Sequence, residues 1–465
     1  MARPALVTPR DLTLLFEARG IVTVRDLAAA LRVNRATISR VLGEMGDSVV
    51  TFGATRRTRY ALRRSVRLAG DRWPIYRLDA SGRAQTWGQL HALHGGWRIE
   101  WAGPPPAWAE TAADREGVWA GFPFFLGDLR PQGFLARAVA QRVAEPLRLP
   151  ADPRSWGDDD TLVFLQAEGD DLPGDLILGD APLRRVLARQ LAFEIAAVPL
   201  TERNVRYPEL ARQVAAGGWP GSSVGGEQPK FPTTVQAAAG APYPVLVKFS
   251  PPMDSPAGRR WADLLAAEAL ALGLLAEHGL APPGASAFDA GGRRFLEIVR
   301  YDRVGAHGRR GTISLEALHA ALAEGAAIDW LTATEALARA ALVDDAGLAA
   351  VRRLGSFGEL IGNTDMHLGN LSFWFDDTLP FRPAPAYDML PMVWAPTPQG
   401  EIGERAFAPR APMPGQLAEW SEAAVWAEVY WQRVAASPDV SPEFAERART
   451  AGSLVARMRA QFAAG

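Results

Sequence analysis

Residues 245–249 read "VLVKF", and the lysine in that run constrains the fold more than any other feature of the chain. Short apolar, β-branched runs read as buried strands. A charge buried there without a partner costs on the order of several kcal/mol, so the fold must deliver an acid to Lys248. The residue type sharpens the constraint. Of fifty basic residues forty-eight are arginine, and only Lys230 and Lys248 escape that bias. An ammonium is a compact point charge on a flexible stem, whereas a guanidinium is a planar fork. A mate lies in "LLAAEALALGLLA", residues 264–276, where Glu268 is the only charge in a helical, apolar stretch. A lone cation on a buried strand and a lone anion on a buried helix solve each other's desolvation. Such a pair can also hold an ammonium toward a phosphate. Capping a cavity or meeting an arginine is the competing role for Glu268.

A second constellation is "IGNTDMHLGNLSFWF", residues 361–375. Asparagine occurs four times in the chain, and Asn363 and Asn370 are both here. Asp365 and Asn370 have the spacing of a protein-kinase catalytic loop, where the Asp takes a hydroxyl proton and the Asn holds magnesium. Asp388 follows in "PAYDMLP", where it would complete an oxygen-rich site suited to Mg²⁺. Turn chemistry explains any one of these residues, but poorly explains all of them together with Lys248 and Glu268. His367 lies in the same loop, where ordering the loop competes with contact to a ligand. Upstream, "GSSVGGEQPKF" at 221–231 ends on Phe231 just after Lys230. Gly221, Gly225 and Gly226 would let backbone amides approach phosphate oxygens. The spacing is not the GxGxxG of ordinary protein kinases.

Residues 1–64 hold twelve arginines against five acids, although the whole chain has a net charge of −2. That segment has a task of its own. Thr8-Pro9 opens one helix and Thr23 with Asp26 a second; Asn34 caps a third. In the third, Ile38, Val41, Leu42 and Met45 face inward, leaving Arg35, Thr37, Ser39 and Arg40 outside. "SVVTF", a Gly53-Ala54 turn and "RRTRYALRR" then form a wing bearing Arg56, Arg57 and Arg59. This is a winged helix-turn-helix pattern. Its arginines are placed to meet the phosphates of double-stranded DNA, with docking of another protein as the alternative.

Strand signals dominate from about 200 to 300 and helical periodicity thereafter, so the chain reads as α+β. Four segments follow: 1–66, the winged helix-turn-helix; 67–200, an accessory subdomain; 201–305, a β-rich nucleotide-binding lobe; and 306–465, a helical catalytic lobe. With 48% hydrophobic and 22% charged residues, 465 residues suit several globular domains and argue against disorder. The absence of cysteine excludes disulfides, thiolate zinc sites and thiol nucleophiles, and agrees with a reducing, cytoplasmic setting. No stretch has the length of a membrane span, and the N-terminus lacks the apolar run of a signal peptide, so no membrane partner is expected.

Taken in order, "SVGGEQPKF", "VLVKF", "YDR" at 301–303, "NTDMHLGN" and "YDMLP" resemble the motifs of HipA-type serine/threonine kinases, the toxins of bacterial toxin–antitoxin systems. The resemblance covers about residues 70–460, including "RPQGFLAR" in the accessory region. With its own winged helix the chain is similar to the YjjJ-like subgroup. The resemblance implies a protein-kinase-like two-lobe fold, ATP and Mg²⁺ as cosubstrates, an antitoxin partner and a protein substrate, which in studied members is an aminoacyl-tRNA synthetase. By match, Lys248 binds the ATP phosphates, Asp365 is the catalytic base, and Asn370 with Asp388 holds magnesium. Val299 and Tyr301 fall where the family's hinge meets adenine through its backbone. Ser223, Val224, Gly225 and Gly226 cover the phosphates, and Lys230, Glu268 and His367 join the nucleotide-binding set. Ser223 matches the family's self-phosphorylated serine, with Ser222 adjacent. Rival readings are a transcription regulator whose kinase lobe only senses nucleotide and a small-molecule phosphotransferase. Metal-assisted hydrolysis by Asp365, His367 and Asp388 is more distant.

Overall fold

Thr8 and Asp11 close a capping box at the head of α1 (Pro9–Arg19), and Thr23 and Asp26 close another at α2 (Val24–Leu31). Each box satisfies backbone N–H groups that the first helical turn leaves without partners. Asn34 does the same for α3 (Arg35–Met45) by accepting from the Thr37 amide. Strands β1 (Val22–Thr23), β2 (Val49–Phe52) and β3 (Arg59–Leu62) pair antiparallel in the order β1-β3-β2. Leu12, Phe16, Leu27, Ile38 and Val41 fill the core of this unit. The computed structural model describes residues 7–54, 58–114, 116–192, 197–216, 228–238 and 240–463.

The next sheet contains β4 (Arg72–Leu78), β5 (Ala84–Leu93), β6 (Gly96–Trp101), β7 (Val118–Trp119) and β8 (Leu176–Leu178), in the order β7-β6-β5-β4-β8. Helices α4 (Ala109–Ala112), α5 (Phe124–Gly127), α6 (Gly133–Leu147), α7 (Asp158–Glu168) and α8 (Asp180–Leu191) accompany it. Trp108, wholly buried, packs against Trp87, Trp101, Phe125 and the distant Phe375, and its indole N–H donates to the Asp376 carbonyl at 3.1 Å. Backbone bonds also fix the N-terminal unit to this sheet. His94 N–H donates to Leu62 O and Arg64 N–H to Ala92 O, both at 2.9 Å. Gly20 and Gly95 meet backbone to backbone with φ of 66° and 89°, and a Cβ on Gly95 would stand 2.7 Å from the Gly20 Cα. Only glycine allows both the conformation and the approach.

The sheet that carries Lys248 comprises β9 (Ala197–Pro199), β10 (Lys230–Gln236), β11 (Tyr243–Phe249), β12 (Ser286–Ala290) and β13 (Arg293–Val299), ordered β12-β13-β11-β10-β9. Side chains alternate across a strand. Val245, Val247 and Phe249 therefore share one core with Tyr207 of α9 (Arg203–Ala216), while Lys248 points to the other face, covered by α10 (Pro256–Glu277). Short strands β14 (Arg303–Val304), β15 (Gly308–Arg309) and β16 (Thr312–Ser314) lead into α11 (Leu315–Leu322), α12 (Trp330–Arg339) and α13 (Asp345–Leu360). The 361–371 loop runs from α13 into β17 (Ser372–Trp374), which pairs with β16. Helices α14 (Leu417–Ala436) and α15 (Pro442–Ala463) pack against each other at the end of the chain. Among the described residues no helix is long and apolar enough to cross a membrane.

Because Trp108 joins the accessory sheet to Phe375 beyond β17, Trp108→Ala removes contacts on both sides of that junction. The expected cost is about 3–5 kcal/mol, read as a lower urea midpoint for the chain. An unchanged midpoint contradicts the junction's role.

Candidate functional site

Lys248 is 2% exposed and Glu268 fully buried. The Lys248 ammonium donates to Glu268 Oε1 at 2.5 Å and makes a second, shorter contact with Asp388 Oδ1. Three elements far apart in sequence thus converge on one nitrogen. Burial disfavours the charged amine, but Asp388 and Glu268 outweigh it and raise the Lys248 pKa above that of an ordinary lysine. Desolvation likewise pushes Asp388 upward, and the Lys248 and Lys230 charges overcome it to hold that carboxyl below the usual range. For Glu268 burial wins and the pKa is raised. Lys230 stands directly opposite Lys248 in the β10–β11 register, so the chain's two lysines face one group of acids. Like charges paired across strands repel, and the acids offset this.

Asparagines shape the loop beside this triad. Asn363 Oδ1 accepts from the Asp365 amide at 3.1 Å, and its Nδ2 donates to the Asp388 carbonyl at 3.0 Å. Asn370 Nδ2 donates to the Asp365 carbonyl at 2.7 Å. The Asp365 side chain is left unencumbered toward solvent. The protein packed around it still partly desolvates the carboxyl and raises its pKa, with His367 opposing and Asp388 adding to the shift. Asp388 itself adopts φ 53°, a left-handed conformation that aspartate tolerates better than most residues. Its neighbour Tyr387 donates to the Gly369 carbonyl at 2.9 Å and lies 2.8 Å from Ser372 Oγ, which fixes the backbone that presents Asp388.

Val299 ends β13 opposite Val245, and Tyr301 just beyond it stacks on Tyr387 with ring centres 6.1 Å apart. The segment just after β13 therefore touches the residue preceding Asp388. His367 accepts from the Gly369 amide at 3.1 Å through Nδ1, while its carbonyl accepts from the Trp330 indole at 2.8 Å. These bonds order the loop. Ser223, Val224, Gly225 and Gly226, with Gly221 and Ser222, lie outside the described residues.

Several supporting residues carry no role in the sequence reading. Asn363 was signalled by the rarity of asparagine, but its two bonds to the Asp365 and Asp388 segments needed the fold. Asp302 of the "YDR" motif is buried between Arg300 and Arg303 and accepts from the Gly174 amide at 3.0 Å, tying the segment after β13 to the accessory region. Asp128 accepts from the Ser314 amide at 2.8 Å and hydroxyl at 2.5 Å at the head of α11.

On α3, Arg35, Ser39 and Arg40 are exposed, Arg40 in an ion pair with Glu44. Thr37 is half-buried and its hydroxyl bonds Asn34 Oδ1 at 2.9 Å. Arg56 and Arg57 lie outside the described residues. Arg59 pairs with Asp114 and, at 2.7 Å, with Glu116 while lying over the Phe52 ring. Arg64 makes a bidentate pair with Asp159 at 2.6 and 2.9 Å, and Arg67 pairs with Asp160. Arg59 and Arg64 thus tie the unit to the accessory region, whereas the exposed Arg67 pairs within that region.

Magnesium suits the donors that remain. With Asn370 Nδ2 engaged, its Oδ1 is left as a hard oxygen ligand, and Asp388 Oδ2 is the oxygen not held by Lys248. Among the described residues no cluster of three or more acids or histidines forms a self-sufficient metal site. Mg²⁺ usually takes only one or two protein carboxylates, with waters and substrate phosphates supplying its other ligands.

Residues 69–187 match the family model of the YjjJ-like toxin middle domain, and residues 222–464 that of the HipA-like C-terminal domain. Toxin YjjJ of Escherichia coli (strain K12) is 35% identical over 428 residues, which span 92% of this chain and 93% of the relative. A chain from the solved complex of HipA, HipB and operator DNA of the Shewanella oneidensis MR-1 toxin–antitoxin system superposes with a TM-score of 0.51. At 16% identity, over 84% of this chain and 96% of that one, this likeness speaks to fold. The fold is the kinase-like one that the motifs led us to expect, and the chain belongs to the HipA-like toxin family, in its YjjJ-like branch.

Proposed function

We propose that this protein is an ATP-dependent serine/threonine protein kinase joined to its own DNA-binding unit. The observation that carries the reading is the Lys248 ammonium, held on a buried strand by Glu268 and Asp388 beside a loop that offers Asp365 to solvent. Magnesium, when bound, would neutralise phosphate charge, with Asn370 Oδ1 and Asp388 as its protein ligands. Lys248 then turns from Asp388 toward the phosphate oxygens, and Glu268 keeps the ammonium aimed. Asp365 accepts the proton of the attacking hydroxyl. Its raised pKa strengthens it as an acceptor so long as it stays ionised. Phosphoryl transfer asks for positioning and charge stabilisation more than covalent chemistry, and the triad and loop supply both.

By family match, Ser223, Val224, Gly225 and Gly226 cover the phosphates, and Ser223 is the self-phosphorylated hydroxyl. The HipA–HipB–DNA complex supports a protein antitoxin and operator DNA as partners. The exposed arginines of α3 support direct DNA contact by this chain.

Incubating the purified protein with Mg²⁺ and ATP and locating phosphate by mass spectrometry tests the reading. ATP binding without transfer supports a nucleotide-sensing regulator instead, and label confined to metabolites supports a small-molecule phosphotransferase. Asp365→Asn should slow transfer by roughly 10²–10⁴-fold while ATP still binds. Lys248→Arg should also fail, because a planar fork does not replace a point charge seated between two carboxylates. Full turnover in either variant removes that residue from the mechanism.

The pH profile supplies a further check. Protonated Asp365 cannot accept a proton, so kcat/KM should fall as pH drops through its pKa. That acid limb should lie above the ordinary aspartate value of 3.8 and vanish from the residual activity of Asp365→Asn.

For the N-terminal unit, the full-length protein should bind duplex DNA with an affinity that falls steeply between about 50 and 200 mM salt. Replacing Arg35 and Arg40 by alanine should weaken binding and flatten that slope. Salt-independent binding would contradict phosphate contact.

A further inference from the structure

Two buried polar atoms near the triad have no hydrogen-bond partner among the described residues: Glu268 Oε2 on α10 and Tyr430 Oη on α14. Both side chains are fully buried, and the two helices pack directly on each other. The groups are chemically complementary. Glu268 Oε2 is a carboxylate acceptor, because Oε1 alone receives Lys248. Tyr430 is a donor, since burial first and the negative field of Glu268 second hold its phenol well above its ordinary pKa. Buried polar groups without partners are rare enough in folded proteins to call for an explanation.

Tyr430 also packs on α13, the helix that leads into the loop bearing Asp365. Its ring meets Phe357 of α13 with centroids 5.9 Å apart. The adjacent Trp431 donates its indole N–H to the carbonyl of Leu360, the last residue of α13, at 3.0 Å. Ile361, Gly362 and Asn363 follow. Helix α14 thus packs both on α10, which bears Glu268, and on α13, which leads into the loop.

Resting on the kinase reading for its consequence, we propose that Tyr430 is a positioning residue whose hydroxyl supplies the second hydrogen bond of the Glu268 carboxylate as Lys248 swings from Asp388 toward nucleotide. A carboxylate held at both oxygens keeps a fixed plane, so the ammonium it directs keeps a fixed aim. Held at one oxygen, Glu268 can rotate and Lys248 meets the phosphates less well. The effect should appear mainly in the binding of nucleotide, with proton transfer at Asp365 little altered.

The scarcity of lysine makes the test direct. With only Lys230 and Lys248 in the chain, isotopic labelling of lysine yields two side-chain NMR signals. Tyr430→Phe retains the ring and removes only the hydroxyl. At constant pH and with Mg²⁺ and ATP present, the variant should shift the Lys248 signal while leaving that of Lys230 in place. KM for ATP should rise about tenfold with kcat changed less than about twofold. Neither change should appear when Tyr430→Phe is added to Glu268→Gln. A role in packing alone would lower thermal stability without moving the Lys248 signal. Coincident Lys248 signals in Tyr430→Phe and wild type overturn the proposal, whatever the activity. Wild-type protein that binds nucleotide but transfers no phosphate overturns the kinase reading, and the Lys248 signal still decides the part played by Tyr430.

Discussion

The ammonium of Lys248 can be buried only because Glu268 and Asp388 reach it, and those three residues come from β11, α10 and the segment after β17. The rest of the molecule is arranged around that requirement. Alternation along β11 turns Val245, Val247 and Phe249 to one core and Lys248 to the opposite face, where α10 lies. Asp388 is brought in from the helical lobe by Asn363 and Tyr387. The same contact that satisfies a buried charge therefore joins two lobes. Removing Lys248 would leave the Glu268 and Asp388 carboxylates without the cation they share, which is far costlier than losing an exposed ion pair.

The accessory region braces this junction from outside. Asp302 links the segment after β13 to Gly174, and Asp128 accepts from Ser314 at the head of α11. Desolvation favours protonating Asp302, but Arg300 and Arg303 outweigh it and hold the carboxyl well below the usual range. Its stabilising contribution is present above the ordinary carboxylate pKa and lost only as pH falls through the depressed one. Trp108 adds an apolar tie through Phe375. Buried charge pairs and aromatic packing from one region thus fix both ends of the path between β13 and the 361–371 loop.

The N-terminal unit is equally rigid in its attachment. Backbone bonds from β3 to the end of β5, the Gly20–Gly95 approach and the Arg59 and Arg64 ion pairs hold it against the accessory sheet. Arginine in excess thus has two uses here. Some residues on α3 face solvent, whereas those on and after β3 serve as struts.

Local chemistry made much of this legible in sequence. The capping boxes at Thr8 and Thr23 and the Asn34 cap depend on residues three apart, so they can be read without the fold. The lone charges at 248 and 268 announced each other because burial of either demands a partner. Asp365, Asn370 and Asp388 were marked by spacing and by the scarcity of asparagine. What the sequence could not show was each contact whose partners are distant and whose residue types are common. Arg59 looks like any wing arginine until Asp114 and Glu116 are folded beside it. Strand β5 has Gly88 in its interior and is buried at four consecutive positions, so it lacks the alternation that marks a half-buried strand. Nothing within α14 sets Tyr430 apart from neighbouring aromatics, and only the packing of α14 on α10 brings it to Glu268. Sequence alone determined which charges needed partners, because desolvation acts on each residue singly; tertiary structure decided which partners they found, because that depends on how helices and sheets pack.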